Sequence, residues 1–340
     1  MNFFVLLFVF LAVFSFEDRG MEKTNNLTIG ILRHITIEEA KEFNLDTHAE
    51  QLLMEAATFR GHHIDFVNPL GVYSTKDSAQ YDAIISRVEV DAFANNLTDA
   101  YLRSLDYFDA AGIPIINSAR ATINAQDKFR TLLLAQKAGI PVPLTFMVYT
   151  LENIHTLLNT EKISFPFFVK NPYSGCGKGV FLVGDNQELH SIITNYFPTG
   201  SPILVEERID LETDEQGNVK DMRTWVVRDA ITNTAKFVGG VYRVAAQGNY
   251  LTNLAAGGSV APLPQPYSQD IITLSEKALE SIGADVAGID LARDKSGNLY
   301  LLEINISFYT TKSIQEPIGI NIWELVMDLV EARIKQNNPH

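Results

Sequence analysis

The chain reads as an α/β domain followed by an α+β half, and three observations carry that reading. Short apolar strands alternate with helices over residues 25–120, a strand at 165–169 runs into a glycine-rich loop, and two strands at 286–291 and 300–305 flank a turn-rich segment. Alternation of strand and helix argues for a parallel sheet, whereas strands joined by tight turns argue for antiparallel pairing.

Leu27-Thr28-Ile29-Gly30-Ile31-Leu32 is the first strand, and residues 47–60 form a helix with Leu52, Leu53, Ala56 and Ala57 along it, ended by Gly61. Strands resume at His63-Ile64-Asp65-Phe66-Val67 and at Tyr81 to Arg87; residues 97–111 are a helix stopped by Gly112, and Ile113-Pro114-Ile115-Ile116-Asn117 is a further strand. No G-x-G-x-x-G follows the first strand, which leaves a dinucleotide-binding unit, and with it an NAD-linked oxidoreductase, poorly supported. The second half opens with a helix over 125–138 carrying Asp127-Lys128 at its start and terminated by Gly139-Ile140-Pro141. Then come the strand 165–169, the loop 173–178, a returning strand 179–183, a helix 187–196 and a strand 203–206. Antiparallel strands at 223–228 and 236–243, a helix at 268–282, the 286–305 hairpin and an amphipathic helix at 322–336 complete the chain.

At 340 residues the length suits two or three small domains, and 46% apolar with 20% charged residues describes an ordinary globular core. A net charge of −14 argues against nucleic acid as a partner, since broad binding there needs a positive field. The lone cysteine, Cys176, excludes an intrachain disulfide and a cysteine zinc cluster and fits a reducing, cytoplasmic compartment. The sequons at Asn26, Asn96 and Asn305 read as chance matches. Residues 3–16 are almost wholly apolar but short of the ~20 residues a spanning helix needs. No basic residue precedes them and no cleavage pattern follows. They read as an upstream start ahead of Met21, with a short membrane anchor as the alternative, and stay outside the fold reasoning.

The residues that carry chemistry begin with Tyr300-Leu301-Leu302-Glu303-Ile304-Asn305. Strand side chains alternate, so Glu303 and Asn305 share a face. The hairpin brings Asp290 near them, and an all-oxygen set of two carboxylates and a carboxamide suits Mg²⁺. Lys170 ends a strand beside Tyr173-Ser174-Gly175-Cys176-Gly177-Lys178-Gly179, where Gly175, Gly177 and Gly179 let backbone amides approach anionic oxygens. A plain glycine-rich turn looks the same, and no P-loop is present. Lys128 on a helix start is either a phosphate contact or a solvated charge. Arg223 and Arg243 fall in strands, where an inward arginine needs an anion. Asn253 opens a small-residue loop through Gly257 and Gly258, which suits close approach of backbone to a ligand.

Asp127-Lys128, Phe168-Val169-Lys170 with its glycine loop, Glu206-Glu207-Arg208-Ile209, Asp221-Met222-Arg223, Asn253 to Gly258, Asp290 and Glu303-Ile304-Asn305 occur in that order. In order and spacing they resemble the ATP-grasp ligases over residues 25–335, in particular the branch of RimK-like glutamate ligases and bacterial glutathione synthetase. The resemblance implies an ATP-grasp fold: an N-terminal extension at 1–24, a parallel α/β domain at 25–120, a small lobe at 121–208 with the glycine loop, and a large lobe at 209–336 with the metal site. It implies that Lys128 and Lys170 contact ATP phosphates, that Glu206, Glu207, Arg208 and Ile209 form the hinge facing adenine, and that Asp290, Glu303 and Asn305 bind Mg²⁺. It also implies that Arg243 faces the transferred phosphoryl group, with Arg223 and Asn253 beside it in the catalytic set, and that Arg87, Gly257 and Gly258 lie on the substrate side.

The implied activity is ATP-dependent ligation of a carboxylate to an amine through an acyl phosphate. ATP and two Mg²⁺ ions are the cofactors, Mn²⁺ is a substitute ion, and a small-molecule acid with an amine or peptide are the partners. An ATP-binding regulatory protein of the same fold with little ligase activity is the alternative. Oligomeric state is left open between monomer and homo-oligomer, and a membrane enters only if residues 1–16 are an anchor. Two departures concern the acceptor side: Leu251 stands where the related families have arginine, and Ser307-Phe308-Tyr309 replaces a Ser-Pro-Gly turn. Both favour a more apolar or bulkier substrate than free glutamate.

Overall fold

A computed structural model describes residues 26–33, 48–74, 80–88, 97–175 and 177–337. The apolar N-terminal extension, the Asn96 sequon and Cys176 lie outside the described residues. Three sheets organise the described residues.

The first is parallel, with β1 (Thr28–Leu32), β2 (His63–Val67), β3 (Ala83–Ser86) and β4 (Ile115–Ile116) in the order β2-β1-β3-β4. Ile29, Ile31 and Ile85 pack with α1 (His48–Phe59), while Leu32 and Ile84 pack with α2 (Thr98–Ala110). Alternate residues of one strand thus enter different cores, as a doubly covered parallel sheet requires.

The helix expected over 125–138 forms over Lys128–Lys137, and an unexpected helix ends just before it at Gln126. Asp127 leaves the helical region (φ −100, ψ 105) between α3 (Ala119–Gln126) and α4 (Lys128–Lys137), and its carboxylate accepts the Arg130 backbone N–H. An aspartate satisfies an orphan donor of the first turn better as an N-cap than in a helix interior. Lys128 therefore becomes the first residue of a helix whose start borders the small lobe, its N–H donating to the Pro172 carbonyl at 3.4 Å.

That lobe is an antiparallel sheet ordered β5-β8-β6-β7, formed by β5 (Thr145–Val148), β6 (Phe167–Lys170), β7 (Val180–Val183) and β8 (Ile203–Glu207). Two helices, α5 (Leu151–Asn159) and α6 (Asn186–Tyr196), are capped by Thr150 and Asp185, and bury Ile154 and Leu189 against Phe167, Val169 and Val205. Neither β5 nor α5 was expected from the sequence.

The large lobe is an antiparallel sheet of β9 (Lys220–Arg228), β10 (Ala235–Val244), β11 (Ser259–Pro262), β12 (Val286–Arg293) and β13 (Leu299–Asn305), ordered β11-β10-β9-β12-β13. The expected hairpin is β12–β13; in its turn Asp294 accepts the backbone N–H of Ser296 and of Asn298, and Gly297 takes φ +90. One face packs on α7 (Gln269–Ile282) through Met222, Val226, Ala287 and Ile289. The other meets α9 (Ile322–Asn337), which follows the short α8 (Lys312–Gln315), through Trp225, Val227 and Val286. α9 also packs on α1, and Arg60 ties the two domains by bonding Glu324, Asp328 and Glu331. Among the described residues, no helix is long and apolar enough to cross a membrane.

Candidate functional site

Strand register builds a polar stripe on the α9 face of the large sheet. Arg223 on β9, Asp290 on β12 and Glu303 on β13 are successive cross-strand partners, and Asn305 stands two residues beyond Glu303. In the neighbouring row Arg243 on β10 faces Asp221 on β9. Side chains two apart on a strand share a face, so the half of this face that α9 leaves uncovered carries alternating cations and carboxylates.

Asp290 is the centre of the stripe. Arg223 grips it with Nε and with Nη2, the latter at 2.9 Å; Arg243 Nη2 stands 3.1 Å away, and Asn305 Nδ2 donates at 3.4 Å. Burial alone would push the Asp290 carboxyl up, but Arg223 and Arg243 outweigh it and hold the group below the usual carboxylate range. Arg243 also donates from Nε and Nη2 to Asp221 at 2.8 and 2.6 Å, and Thr252 donates to the same carboxylate at 2.6 Å. Burial works to lower the Arg243 pKa, yet Asp221 and Asp290 raise it. Gly288, on the same face as Asp290, makes room for this arrangement: a Cβ there would meet Phe308 Cβ at 2.9 Å and Arg223 Cδ at 3.0 Å.

The small lobe reaches the stripe through Lys128, whose Nζ donates to Glu303 Oε1 at 2.7 Å and to the Ser174 carbonyl at 2.5 Å. The glycine loop closes where Asn171 N donates to the Gly179 carbonyl at 2.9 Å and Lys178 N to the Gly175 carbonyl at 3.0 Å. Gly177 and Gly179 take φ of +75 and +67, which favours glycine at both. A side chain at Gly177 would lie 3.1 Å from Asn253 Nδ2 and 3.3 Å from Leu251 Cδ1, so the loop tip touches the large lobe. Both polar atoms of the Asn253 side chain are buried without a hydrogen-bond partner among the described residues. Such orphans are rare and cost stability unless another partner serves them.

Lys170 Nζ donates to the buried Glu206 carboxylate at 2.5 Å, while Glu207 accepts the Leu144 N–H at 2.7 Å. The chain then leaves β8 through exposed Arg208 and half-buried Ile209. Gly257 (φ +85) ends the 3₁₀ turn Leu254–Ala256, and a side chain at Gly258 would collide with the Thr252 carbonyl.

Arg87 lies apart from this cluster, at the C-terminal end of β3. It is 5% exposed, donates from Nε to Glu50 at 3.0 Å and from Nη2 to the Phe308 carbonyl at 3.2 Å, and among the described residues Nη1 has no acceptor. Phe308 also departs from expectation. It is a core residue, stacked on Trp323 at 5.2 Å, because the turn after β13 points it under Gly288 rather than outward. Of that aromatic pair only Tyr309 remains partly exposed. Sequence reasoning missed Glu50, Ser174 and Thr252 as partners of site residues. All three pair across long sequence separations, and a single sequence carries no signal of that.

The donor set fits a nucleotide and a hard cation. Asp290, Glu303 and Asn305 present oxygen-bearing side chains on one surface, as Mg²⁺ prefers. Lys128 brings a cation to this surface and ties it to the glycine loop at the Ser174 carbonyl.

A RimK-like ATP-grasp domain matches residues 125–330. A probable alpha-L-glutamate ligase of Haemophilus influenzae is 29% identical over 301 residues, covering 83% of this chain and 92% of its own. Among solved structures, D-alanyl-alanine synthetase A from Vibrio cholerae superposes with a TM-score of 0.68 at 15% identity, covering 92% of this chain and all of its own (100%). The ATP-grasp ligase PsnB with a minimal precursor does so at 0.62 and 15% identity, covering 91% and 100%. The fold is shared with both. On the match over residues 125–330, the chain belongs to the RimK-like ATP-grasp family and is an ATP-dependent ligase that forms carbon–nitrogen bonds.

Proposed function

We propose that the chain joins a carboxylate to an amine through an acyl phosphate. The observation that carries the proposal is the convergence of Lys128, the glycine loop, Arg223, Arg243, Asp290, Glu303 and Asn305 where the two lobes meet. Asp290, Glu303 and Asn305 would hold Mg²⁺, which when bound neutralises charge on the polyphosphate. Lys128 and Lys170 hold the phosphates, and the backbone of Glu206 to Ile209 meets the adenine. A substrate carboxylate oxygen attacks the γ-phosphorus and ADP departs with its electron pair. The amine nitrogen then attacks the activated carbonyl carbon, phosphate leaves, and the nitrogen loses its proton. Arg243 and Arg223 supply positive charge beside the transferred group, as in-line phosphoryl transfer needs. The Asn253 amide and the Gly257–Gly258 backbone face the acyl phosphate, and Arg87 with its unused Nη1 serves the substrate carboxylate. The protein positions and neutralises, and no side-chain nucleophile is called for.

Glutamate ligation is what the name of the Haemophilus influenzae relative states, and a precursor is what PsnB holds. Free amino acids and short peptides are therefore the first substrates to examine. A screen of ADP release with product mass, run over amino-acid and peptide pairs with ATP and Mg²⁺, tests the reading. Amine-dependent ADP release, with a product whose mass is that of the acid plus the amine less one water, is the expected result. ATP binding with no turnover over the whole panel would favour a regulatory ATP-binding protein.

A further inference from the structure

Beside the polar stripe the sheet ends at β11, which pairs with β10 alone among the described residues. Val260 on β11 is the direct cross-strand partner of Arg243, so the stripe continues outward onto an apolar edge. A cavity of about 380 Å³ opens there, lined by Leu254, Val260, Ala261 and Pro262 on one side and by Tyr309, Thr311, Ser313 and Ile314 on the other. Its size is within the range of about 300–1,000 Å³ common for ligand sites. Its walls are the two segments that lead away from the candidate chemistry: Leu254 follows Asn253, and Tyr309 follows the β13 strand of Glu303 and Asn305.

Among the described residues the lining contains no charged side chain; its polar atoms are hydroxyls and backbone. The nearest cation in register, Arg243, is already held by Asp221 and Asp290. A carboxylate entering the cavity would lose water without gaining a counter-charge, which is costly, whereas an aliphatic or aromatic group would bury apolar surface on both sides. The outer edge of β11 offers main-chain groups to a further strand, and an extended peptide placed there sets alternate side chains into an adjoining pocket.

We propose that the cavity and the outer edge of β11 bind an extended peptide substrate with one aliphatic or aromatic side chain in the cavity. This deepens the ligase reading and rests on it. The substrate side thus selects an apolar peptide over free glutamate.

The test is calorimetric titration of the full chain, saturated with a non-hydrolysable ATP analogue and Mg²⁺, with Gly-Leu-Gly, Gly-Phe-Gly, Gly-Glu-Gly, free leucine and free glutamate. The leucyl and phenylalanyl peptides are expected to bind at least about tenfold more tightly than the other three. N-methylation of the leucyl peptide backbone should weaken binding by a similar factor. Leu254→Glu and Ser313→Asp both place a carboxylate at exposed positions of the rim, which the fold should tolerate. Each should cost the leucyl peptide about tenfold in affinity while ATP affinity and melting temperature stay at parent values. Equal binding of the leucyl and glutamyl peptides, a preference for either free amino acid, or unchanged peptide binding in both variants would overturn the proposal. Peptide binding as expected, with no ADP release from any acid and amine pair, would leave the cavity assignment standing and sink the ligase reading instead.

Discussion

Lys128 Nζ lies 2.7 Å from Glu303 Oε1 while also donating to the Ser174 carbonyl, so one ammonium fastens the glycine loop to β13 of the large lobe. The Asp127 cap starts α4 at Lys128 and thereby sets its reach. The residue proposed for phosphate and the residue proposed for the cation are thus each other's partner. Lys128→Ala should lower ATP affinity by about 1.5–3 kcal/mol, the worth of a charge-assisted hydrogen bond. Calorimetry measures this, and parent-like affinity would reduce Lys128 to a tie between lobes.

Glu303→Gln keeps shape and removes one charge from the oxygen set. Its side chain is 29% exposed, so the fold should survive. Turnover should fall by two or more orders of magnitude, as loss of a metal-facing charge does on the scale of about 1.4 kcal/mol per tenfold. ADP production at limiting Mg²⁺ is the readout, and an unchanged rate would remove Glu303 from the metal site.

Lys170→Ala should behave differently from Lys128→Ala, because it strips the counter-ion from Glu206, whose side chain is only 6% exposed. A buried carboxylate left alone costs about 3–5 kcal/mol, so melting temperature should fall together with ATP affinity. Adding Glu206→Leu should restore stability without restoring affinity. Recovery of both would show that Lys170 acts only as a structural partner.

Asn253→Ala separates stability from activity. Its buried amide has no partner, so truncation relieves a desolvation cost of about 1–3 kcal/mol and should leave urea stability equal or higher. ADP release should drop by about a hundredfold if the amide serves the acyl phosphate. A stability loss in denaturation, with activity intact, would make Asn253 a packing residue.

Glu50 should contribute to the loss of stability in acid. Burial pushes its carboxyl up, but Arg87 and Arg33 outweigh burial and hold it below the ordinary value. A lowered folded-state pKa means the stabilisation is fully present above the unfolded value of about 4.3 and is lost as pH falls through the folded one. Glu50→Gln removes the carboxylate the two arginines share, and should cost about 3–5 kcal/mol at neutral pH and less below about pH 4. Urea midpoints across that range check it. Parallel curves for parent and variant would exclude Glu50 as the titrating group.

Local pattern was enough for much of this. Strand–helix alternation placed the parallel sheet. Turn formers between Asp290 and Glu303 placed the β12–β13 hairpin, and period-2 alternation put Glu303 and Asn305 on one face. These features follow from backbone geometry within a few residues, and the order of motifs along the chain pointed to the family. Tertiary structure alone decided the rest. Asp127 broke a continuous helical pattern because capping competes with helix propagation. β5 and α5 became ordered by packing on β8 and the small-lobe core. Phe308 went into the core beside Trp323 while Tyr309 stayed at the cavity, although both are large aromatics in one tripeptide. The pairs Lys128–Glu303, Arg223–Asp290 and Arg87–Glu50 span 175, 67 and 37 residues. Charge and spacing say that each such residue needs a partner; only the three-dimensional approach of distant segments says which one it finds.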